Sequence, residues 1–452
     1  MRADNLISPG PSGFNDMIRS ASVRTGTIRL QLSTRVESLQ RHIRHLQCGP
    51  LGDGTNFIRA GAIYPAGQHP SPLSPRFCST YLTMPNDTSN GISTASAPGA
   101  DLPSTYRAYT FHSHGDPADV LFLTTLPLKL PSPTQVLIKV HTCALNPISS
   151  KLMVASWLPI VQLPCTPELD CSGTVVVVGK EVRCVRVGDA VYGFVGLMEQ
   201  IREGRGTFGT YALLEMCRVS KLPRGMKMEE AAGLGATGSI ALQSLIDDGK
   251  LEQGQRVFVN GASGGIGSMA IQIAKGIVGK TGFVLGSCDF ARGCTVIELG
   301  GDDVIDYTNS PTRLIDDLRS RYSKPNQHFD LILDTVGVDE LYGRCCAYLK
   351  PTGKYITFGA DASSMTDSID MLATMFSSMA RPRQHPSAPR EFLYSQLKPT
   401  REKFERLNRM VEEGKLRVLV DSKHSFGKRE EVLDGYEILM SRNASGKVVV
   451  TM

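Results

Sequence analysis

The stretch Arg256-Val-Phe-Val-Asn-Gly-Ala-Ser-Gly-Gly-Ile-Gly-Ser-Met-Ala-Ile-Gln-Ile-Ala-Lys275 decides how the chain folds. Val257-Phe258-Val259 is a short, β-prone apolar run of the kind found in a strand covered on both faces. Beyond a glycine-rich turn, Ala270, Ile273, Ala274 and Ile277 recur at i, i+3, i+4 and i+7, one buried face of a helix. Between strand and helix, Ala262-x-Gly264-x-x-Gly267 fills a G-x-G-x-x-G frame with alanine in the first glycine's place. Gly264 leaves room for a pyrophosphate to approach the backbone, and Gly267 lets helix and strand pack closely. A helix beginning near Ser268 then offers free N–H groups and partial positive charge to the anion. A glycine triplet alone is an ordinary turn. The strand before it, the amphipathic helix after it and the pattern's repetition downstream make it the phosphate-gripping corner of a dinucleotide-binding unit.

Downstream, strands are expected at 283–285, 304–307, 329–334 and 354–358, with helices at 291–299, 312–322 and 339–349 between them. That alternation implies an α/β fold with a doubly wound, parallel sheet of the Rossmann type. Upstream, residues 106–111, 135–140, 174–178 and 190–194 read as short strands between Pro/Gly turns, a β-rich domain. A helical stretch, 229–247, hands over from one to the other. Residues 381–390 (RPRQHPSAPR) read as a loop, 402–413 as a helix, and 447–451 as a closing strand that rejoins the first domain. The layout is a leader over 1–100, a β-rich domain over 101–235 completed by about 415–452, and a dinucleotide-binding domain over 236–400.

The leader is rich in Pro, Ser, Gly and Arg and reads as disordered. One piece has helical spacing, with Val36, Leu39, Ile43 and Leu46 on one face beside Arg35, Arg41 and Arg44. An Arg-rich, Lys-free leader with such a helix suits a mitochondrial transit peptide. Asp4, Asp16 and Glu37 interrupt it, and the second reading makes Met84 the working start. The cytoplasm is therefore the expected compartment, with the mitochondrion as the alternative.

The net charge of +5 is confined to this leader, since residues 1–83 hold nine Arg against four acids while the remainder has 40 basic and 40 acidic residues. The body gives no charge-based case for nucleic acid. No apolar run approaches the ~20 residues of a membrane helix. Eleven scattered cysteines with no CxxC pair fit reduced thiols better than a disulfide framework or a zinc knuckle. The vicinal pair Cys345-Cys346 reads as half-buried helix packing, because adjacent cysteines bridge only with strain.

With both halves placed, residues 105–452 resemble the medium-chain dehydrogenase/reductase superfamily, and within it the zinc-free quinone oxidoreductase and enoyl reductase branch. The closest flavour is that of reticulon-interacting-type mitochondrial oxidoreductases and fungal trans-acting enoyl reductases. Five blocks carry the likeness in order: Asn146-Pro147-Ile-Ser-Ser-Lys151, Leu169-Asp-Cys-Ser-Gly-Thr-Val-Val-Val-Val-Gly179, Val187-Gly-Asp-Ala-Val-Tyr-Gly193, Gly261-Ala-Ser-Gly-Gly-Ile-Gly267 and Asp303-Val-Ile-Asp-Tyr307. The resemblance implies a GroES-like β-rich domain beside the Rossmann domain, a homodimer, and a polyketide synthase partner if the reaction is biosynthetic. Zinc-dependent relatives carry a Cys-His pair after the strand ending here at Val140, and a Gly-His-Glu whose His and Glu fall on Leu169 and Asp170. This chain has Asn146-Pro147 in the first region, and leucine binds no metal, so no three-ligand catalytic zinc site is expected. His141 and Cys143 remain as a pair on or near a strand.

Without zinc to polarise a carbonyl, the remaining chemistry is hydride addition to an activated double bond: an enone, a quinone or an enoyl thioester. By the resemblance, Ser263, Gly264, Gly265, Ile266 and Gly267 hold the pyrophosphate. Tyr307 lies against the adenosine end, while Val336, Gly337, Phe358 and Gly359 stand at strand C-termini where the sheet meets ligand. Asn146 is the candidate for contact with nicotinamide or substrate, against turn stabilisation by an Asn-Pro dipeptide. At the ribose, Ser287 and Cys288 occupy the position where an NAD site carries an acid, and neutral Ser287 suits a 2′-phosphate. Asp289 opposes that phosphate and Arg292 attracts it, which leaves NADPH favoured and NADH open. Gly235 and Ile240 replace a proline and a threonine of relatives, and Ser149 stands where they often carry Asp, so the substrate pocket is expected to be specialised. A different class of function, an NADPH-binding interaction module with little turnover, is compatible with the long leader and those altered residues.

Overall fold

Arg256 begins a strand whose alternate neighbours are all enclosed, and from it the architecture follows in both directions. The computed structural model describes residues 102–155, 161–308, 311–358, 383–385 and 388–452. The leader, with its Val36–Leu46 helical spacing, and Gly359 lie outside the described residues. All described residues belong to one unit, Gly91–Met452.

The first part is β-rich. Strands β1 (Thr105–Phe111) and β2 (Leu121–Pro127) form an antiparallel hairpin. Strands β3 (Gln135–Ala144), β4 (Asp170–Val178), β5 (Ala190–Phe194), β6 (Tyr211–Glu215) and β7 (Val219–Lys221) pair antiparallel around β3 and β4. Their inward faces close a core of Val136, Ile138, Val140, Val175, Val191 and Leu214.

The second part is the parallel sheet the alternation predicts, with one antiparallel strand added at its edge. It contains β8 (Arg256–Asn260), β9 (Phe283–Cys288), β10 (Asp303–Asp306), β11 (Phe329–Asp334), β12 (Leu349–Thr357), β13 (Arg383–His385) and β14 (Ala388–Tyr394), ordered β10-β9-β8-β11-β12-β14-β13. The order reverses between β8 and β11, the switch point at which doubly wound sheets take ligands. Helix Gly265–Val278 buries Met269, Ala270, Ile273 and Ala274 on the β8 side, with Ile277 partly covered. Each fully buried Ile or Met contributes about 1.5–3 kcal/mol. The opposite face of the sheet packs Phe258, Phe329, Tyr322, Tyr348 and Tyr355.

Several expectations are corrected. The helix begins at Gly265, three residues before Ser268, because the glycines themselves take helical backbone after Gly264. The expected loop at 381–390 holds β13 and the start of β14; pairing with the edge of β12 supplies hydrogen bonds that local Pro-rich composition does not reveal. Stretch 229–247 is divided into helices Met228–Ala232 and Gly235–Gln243, and 339–349 shortens to Asp339–Gly343 followed by a single tight turn at Cys345–Ala347. Cys345 is buried and Cys346 half-buried.

After helix Arg401–Glu412 the chain returns to the first sheet. Strand β15 (Val420–Ser425), helix Arg429–Met440 and strand β16 (Lys447–Thr451) follow. β16 pairs antiparallel with β3 and parallel with β15. The residue just before it also touches the glycine turn: Gly446 bridges Gly264, and Gly446 N donates to Ser263 O at 2.9 Å. The C-terminal strand thus ties the β-rich sheet to the glycine-rich corner. Among the described residues no helix is long and apolar enough to cross a membrane.

Candidate functional site

Glycine chemistry shapes the corner after β8. Gly261 has φ +78°, the left-handed region that favours glycine, and a Cβ there would stand 2.5 Å from Thr335 Oγ1. A Cβ at Gly267 would stand 2.0 Å from Gly261 O, so only glycine lets helix and turn approach this closely. Gly264 is the opposite case: its nearest neighbour to a Cβ would be 3.5 Å away, and its N-cap position carries no side-chain hydrogen bond. The first-turn N–H groups of Gly265, Ile266 and Gly267 therefore face an open approach with helix-dipole charge behind them, which fits a diphosphate. Ser263, buried, supplies the carbonyl that receives Gly446 N.

The other sequence-predicted residues divide into two sets. Ser287 and Cys288 are fully buried. Ser287 Oγ donates to Asn260 Oδ1 (2.6 Å) and accepts from Gly261 N (3.1 Å), so it braces the turn from beneath. Asp289 and Arg292 form an ion pair with each other, and Arg292 also reaches Asn443 O. Tyr307, half-buried just past β10, has its hydroxyl held above its usual range by burial and by neighbouring Asp289. The N–H groups of Val336 and Gly337 donate to Asp334 Oδ1 at 3.0 and 2.9 Å, which fixes the loop after β11. Phe358 O accepts from Tyr394 O–H.

Asn146 sits in a cluster that no sequence motif announces. Lys447 is 5% exposed, and its ammonium donates to Asn146 Oδ1 (2.8 Å), Leu145 O (3.1 Å) and Thr237 Oγ1 (3.3 Å). Asp170 Oδ2 lies 3.8 Å from the same ammonium, while Asp170 Oδ1 accepts from Ala236 N. The Asn146 amide hydrogens go to Ala144 O and Glu168 Oε2, and Glu168 Oε2 also accepts from Asn146 N at 2.7 Å. Asn146 makes no side-chain cap to the helix that follows it, Pro147–Val154.

Glu168 is fully buried with φ +68°, a backbone strain that a glutamate tolerates only when its surroundings hold it. Tyr436 O–H donates to Glu168 Oε1 at 2.6 Å. Burial pushes the Glu168 carboxyl up to about 7, against the hydrogen bonds from Tyr436 and Asn146 and the charge of Lys447. Asp170 is raised by burial as well, with Lys447 opposing. Composition pointed at none of Lys447, Thr237, Glu168 and Tyr436; the one available signal was a lysine opening the strand expected to rejoin the first sheet.

Zinc does not fit here. Leu169 presents an apolar side chain, the carboxylate of Asp170 already faces an ammonium, and among the described residues no three His, Cys, Asp or Glu gather as a metal site. Cys143 is buried beside Thr207, and His141 bonds Thr142.

Two family descriptions match the chain: an alcohol dehydrogenase GroES-like domain over residues 132–224 and a zinc-binding dehydrogenase over 299–450. The trans-enoyl reductase pgmF of Aspergillus terreus is 30% identical over 366 residues, which cover 77% of this chain and 97% of that protein. The chain belongs to the medium-chain dehydrogenase/reductase superfamily. Another relative, trans-enoyl reductase poxH of Penicillium oxalicum, is 32% identical over 181 residues, which span 40% of this chain and 45% of that protein's length. The Escherichia coli quinone oxidoreductase, solved in complex with NADPH, superposes with TM-score 0.62 at 19% identity over 76% of this chain and all of that one. As a medium-chain dehydrogenase/reductase this protein is an oxidoreductase with the superfamily's nicotinamide-nucleotide fold, in spite of the word zinc in one matching description.

Proposed function

We propose that this protein is a zinc-independent, NADPH-dependent reductase of activated C=C bonds in enones, quinones or enoyl thioesters. The observation that carries the reading is the juxtaposition of two features. An uncapped glycine corner suited to a diphosphate lies against a buried Lys447–Asn146–Thr237 cluster that holds no metal-ligand set. The relatives pgmF and poxH are named trans-enoyl reductases, and a protein of this fold was solved with NADPH.

In this reading Gly265, Ile266 and Gly267 bind the diphosphate through their N–H groups, with Ser263 and Gly264 shaping the approach. Tyr307, Val336, Gly337 and Phe358 border the nucleotide along the strand ends. The bound nicotinamide cofactor supplies a hydride. Asn146, with every polar atom of its carboxamide engaged, acts as a fixed wall at the nicotinamide end rather than an adaptable hydrogen-bond partner. The Asp289–Arg292 pair neutralises the acid nearest the ribose, and Ser287 adds no charge, which supports NADPH over NADH.

The test is spectrophotometric. Purified full-length protein is mixed with NADPH and a panel of enones, quinones and enoyl thioesters while the reduced-nicotinamide absorbance is followed. Oxidation with at least one acceptor, faster with NADPH than NADH, is the expected result. NADPH binding with no oxidation across the panel would show an interaction module instead.

A further inference from the structure

The groups that receive the Lys447 ammonium differ in what they have left to offer. Leu145 O and Asn146 Oδ1 are acceptors only, and both amide hydrogens of Asn146 are engaged. Thr237 is different. An ammonium has no acceptor, so Thr237 Oγ1 must accept at this contact and its own proton points elsewhere. Among the described residues no hydrogen bond takes that proton. Thr237 stands in the first turn of helix Gly235–Gln243 and is 4% exposed. The stem of Lys447 packs on the glycine corner, where a Cβ at Gly265 would come within 2.8 Å of Lys447 Cδ. A buried hydroxyl with a donor and no taker, one side chain away from the phosphate-gripping turn, is arranged for a ligand oxygen.

We infer that Thr237 donates a hydrogen bond to the carbonyl oxygen that activates the substrate's C=C bond, and that Lys447 is the positioning residue that turns this hydroxyl proton toward that oxygen. The inference rests on the reductase reading above. In the step, a C–H bond forms at the β-carbon with the electron pair delivered as hydride. The C=C π bond breaks and its electrons run to the carbonyl oxygen as an enolate, so the alkene is reduced as the nicotinamide is oxidised. Thr237 keeps its proton and stabilises the new negative charge; water then protonates the α-carbon. A donor fixed in place beforehand needs no reorganisation when the charge appears.

The experiment uses full-length protein with an enone. Thr237→Val keeps the shape and removes the O–H, and Thr237→Ser restores it. Thr237→Val is expected to lose about a hundredfold in kcat, with the enone KM and the NADPH Kd (from bound-cofactor fluorescence) within about twofold of wild type. Serine recovers most of the loss. The pair Lys447→Met with Asp170→Asn removes the ammonium and its buried counter-charge together. It should lose about tenfold in kcat and add little to Thr237→Val, because both act on one hydrogen bond. Wild-type kcat in Thr237→Val, or a defect located in NADPH affinity, overturns the assignment of Thr237, and fully additive losses overturn that of Lys447. If the wild-type protein binds NADPH but reduces nothing in the panel, the reductase reading falls and takes this assignment with it.

Discussion

Lys447 Nζ and Asn146 Oδ1 stand 2.8 Å apart, with both side chains almost wholly enclosed, at the point where the C-terminal strand meets the glycine corner. The same ammonium is the nearest compensation for Asp170 Oδ2, a buried oxygen with no hydrogen bond of its own. Removing one partner of a buried charge pair leaves the other uncompensated, at a cost of about 3–5 kcal/mol. Lys447→Met alone should therefore destabilise by that order, and adding Asp170→Asn should recover most of it. Urea titrations of the two variants check this; equal stability of single and double variants would show that the pair is not coupled.

Glu168 gives a pH prediction with a definite sign. Its folded-state carboxyl is raised to about 7 from an ordinary value of 4.5, burial being the largest cause. The folded protein thus binds the proton more tightly than the unfolded chain. The stability this contributes is full below about pH 4.5 and is lost as the pH rises to about 7. Glu168→Gln, which mimics the protonated form, should be more stable than wild type at pH 8 by about 2–3 kcal/mol and close to it at pH 4.5. Denaturant midpoints of both proteins at the two pH values decide the matter, and a pH-independent difference would show that Glu168 does not titrate in this window.

The parallel sheet was legible because its strands are continuous apolar runs and its helices carry periodic faces; Val257–Val259 and Ala270–Ala274 are enough to place the central unit. β13 and the start of β14 were not, since an edge strand is defined by the neighbour it pairs with, and Pro382, Pro386 and Pro389 dominate the local composition. The glycine corner was readable from its spacing together with the strand before it and the amphipathic helix after it. The cluster around Lys447 was not, because its members come from residues 146, 168, 170, 237, 436 and 447 and meet only once both sheets are built. Ser287 illustrates the middle ground: its spacing of twenty residues past Gly267 was readable, whereas its commitment to Asn260 and Gly261 required the structure.

Gly264 separates binding from folding. Its backbone, at φ −73° and ψ 177°, suits any residue, and a side chain there would project into open space before the helix. Aspartate is a favoured N-cap residue, worth a few tenths of a kcal/mol over glycine. Gly264→Asp should therefore fold with unchanged or slightly higher Tm, yet lose NADPH binding, because a carboxylate would occupy the proposed diphosphate site. Cofactor titration alongside thermal melting tests both halves, and wild-type NADPH affinity in this variant would move the diphosphate elsewhere.

Gly267 and Gly276 lie on the same helix and should respond to alanine in opposite directions. A Cβ at Gly267 would sit 2.0 Å from Gly261 O and 2.8 Å from Ala262 Cα, both backbone atoms of the turn that cannot swing aside. A Cβ at Gly276 meets nothing within 4 Å, and the residue is exposed near the helix C-terminus. Alanine at Gly276 gains helix propensity, about 0.5–1 kcal/mol of stabilisation. Alanine at Gly267 must push the turn off the helix, and the strain should cost at least about 1–3 kcal/mol, as overpacking does elsewhere. Because the displaced turn is also the proposed diphosphate cradle, Gly267→Ala should weaken NADPH binding as well, while Gly276→Ala leaves it unchanged. Parallel melts and cofactor titrations of the two variants measure this, and similar behaviour of both would mean that close helix–turn contact at Gly267 does not shape the corner.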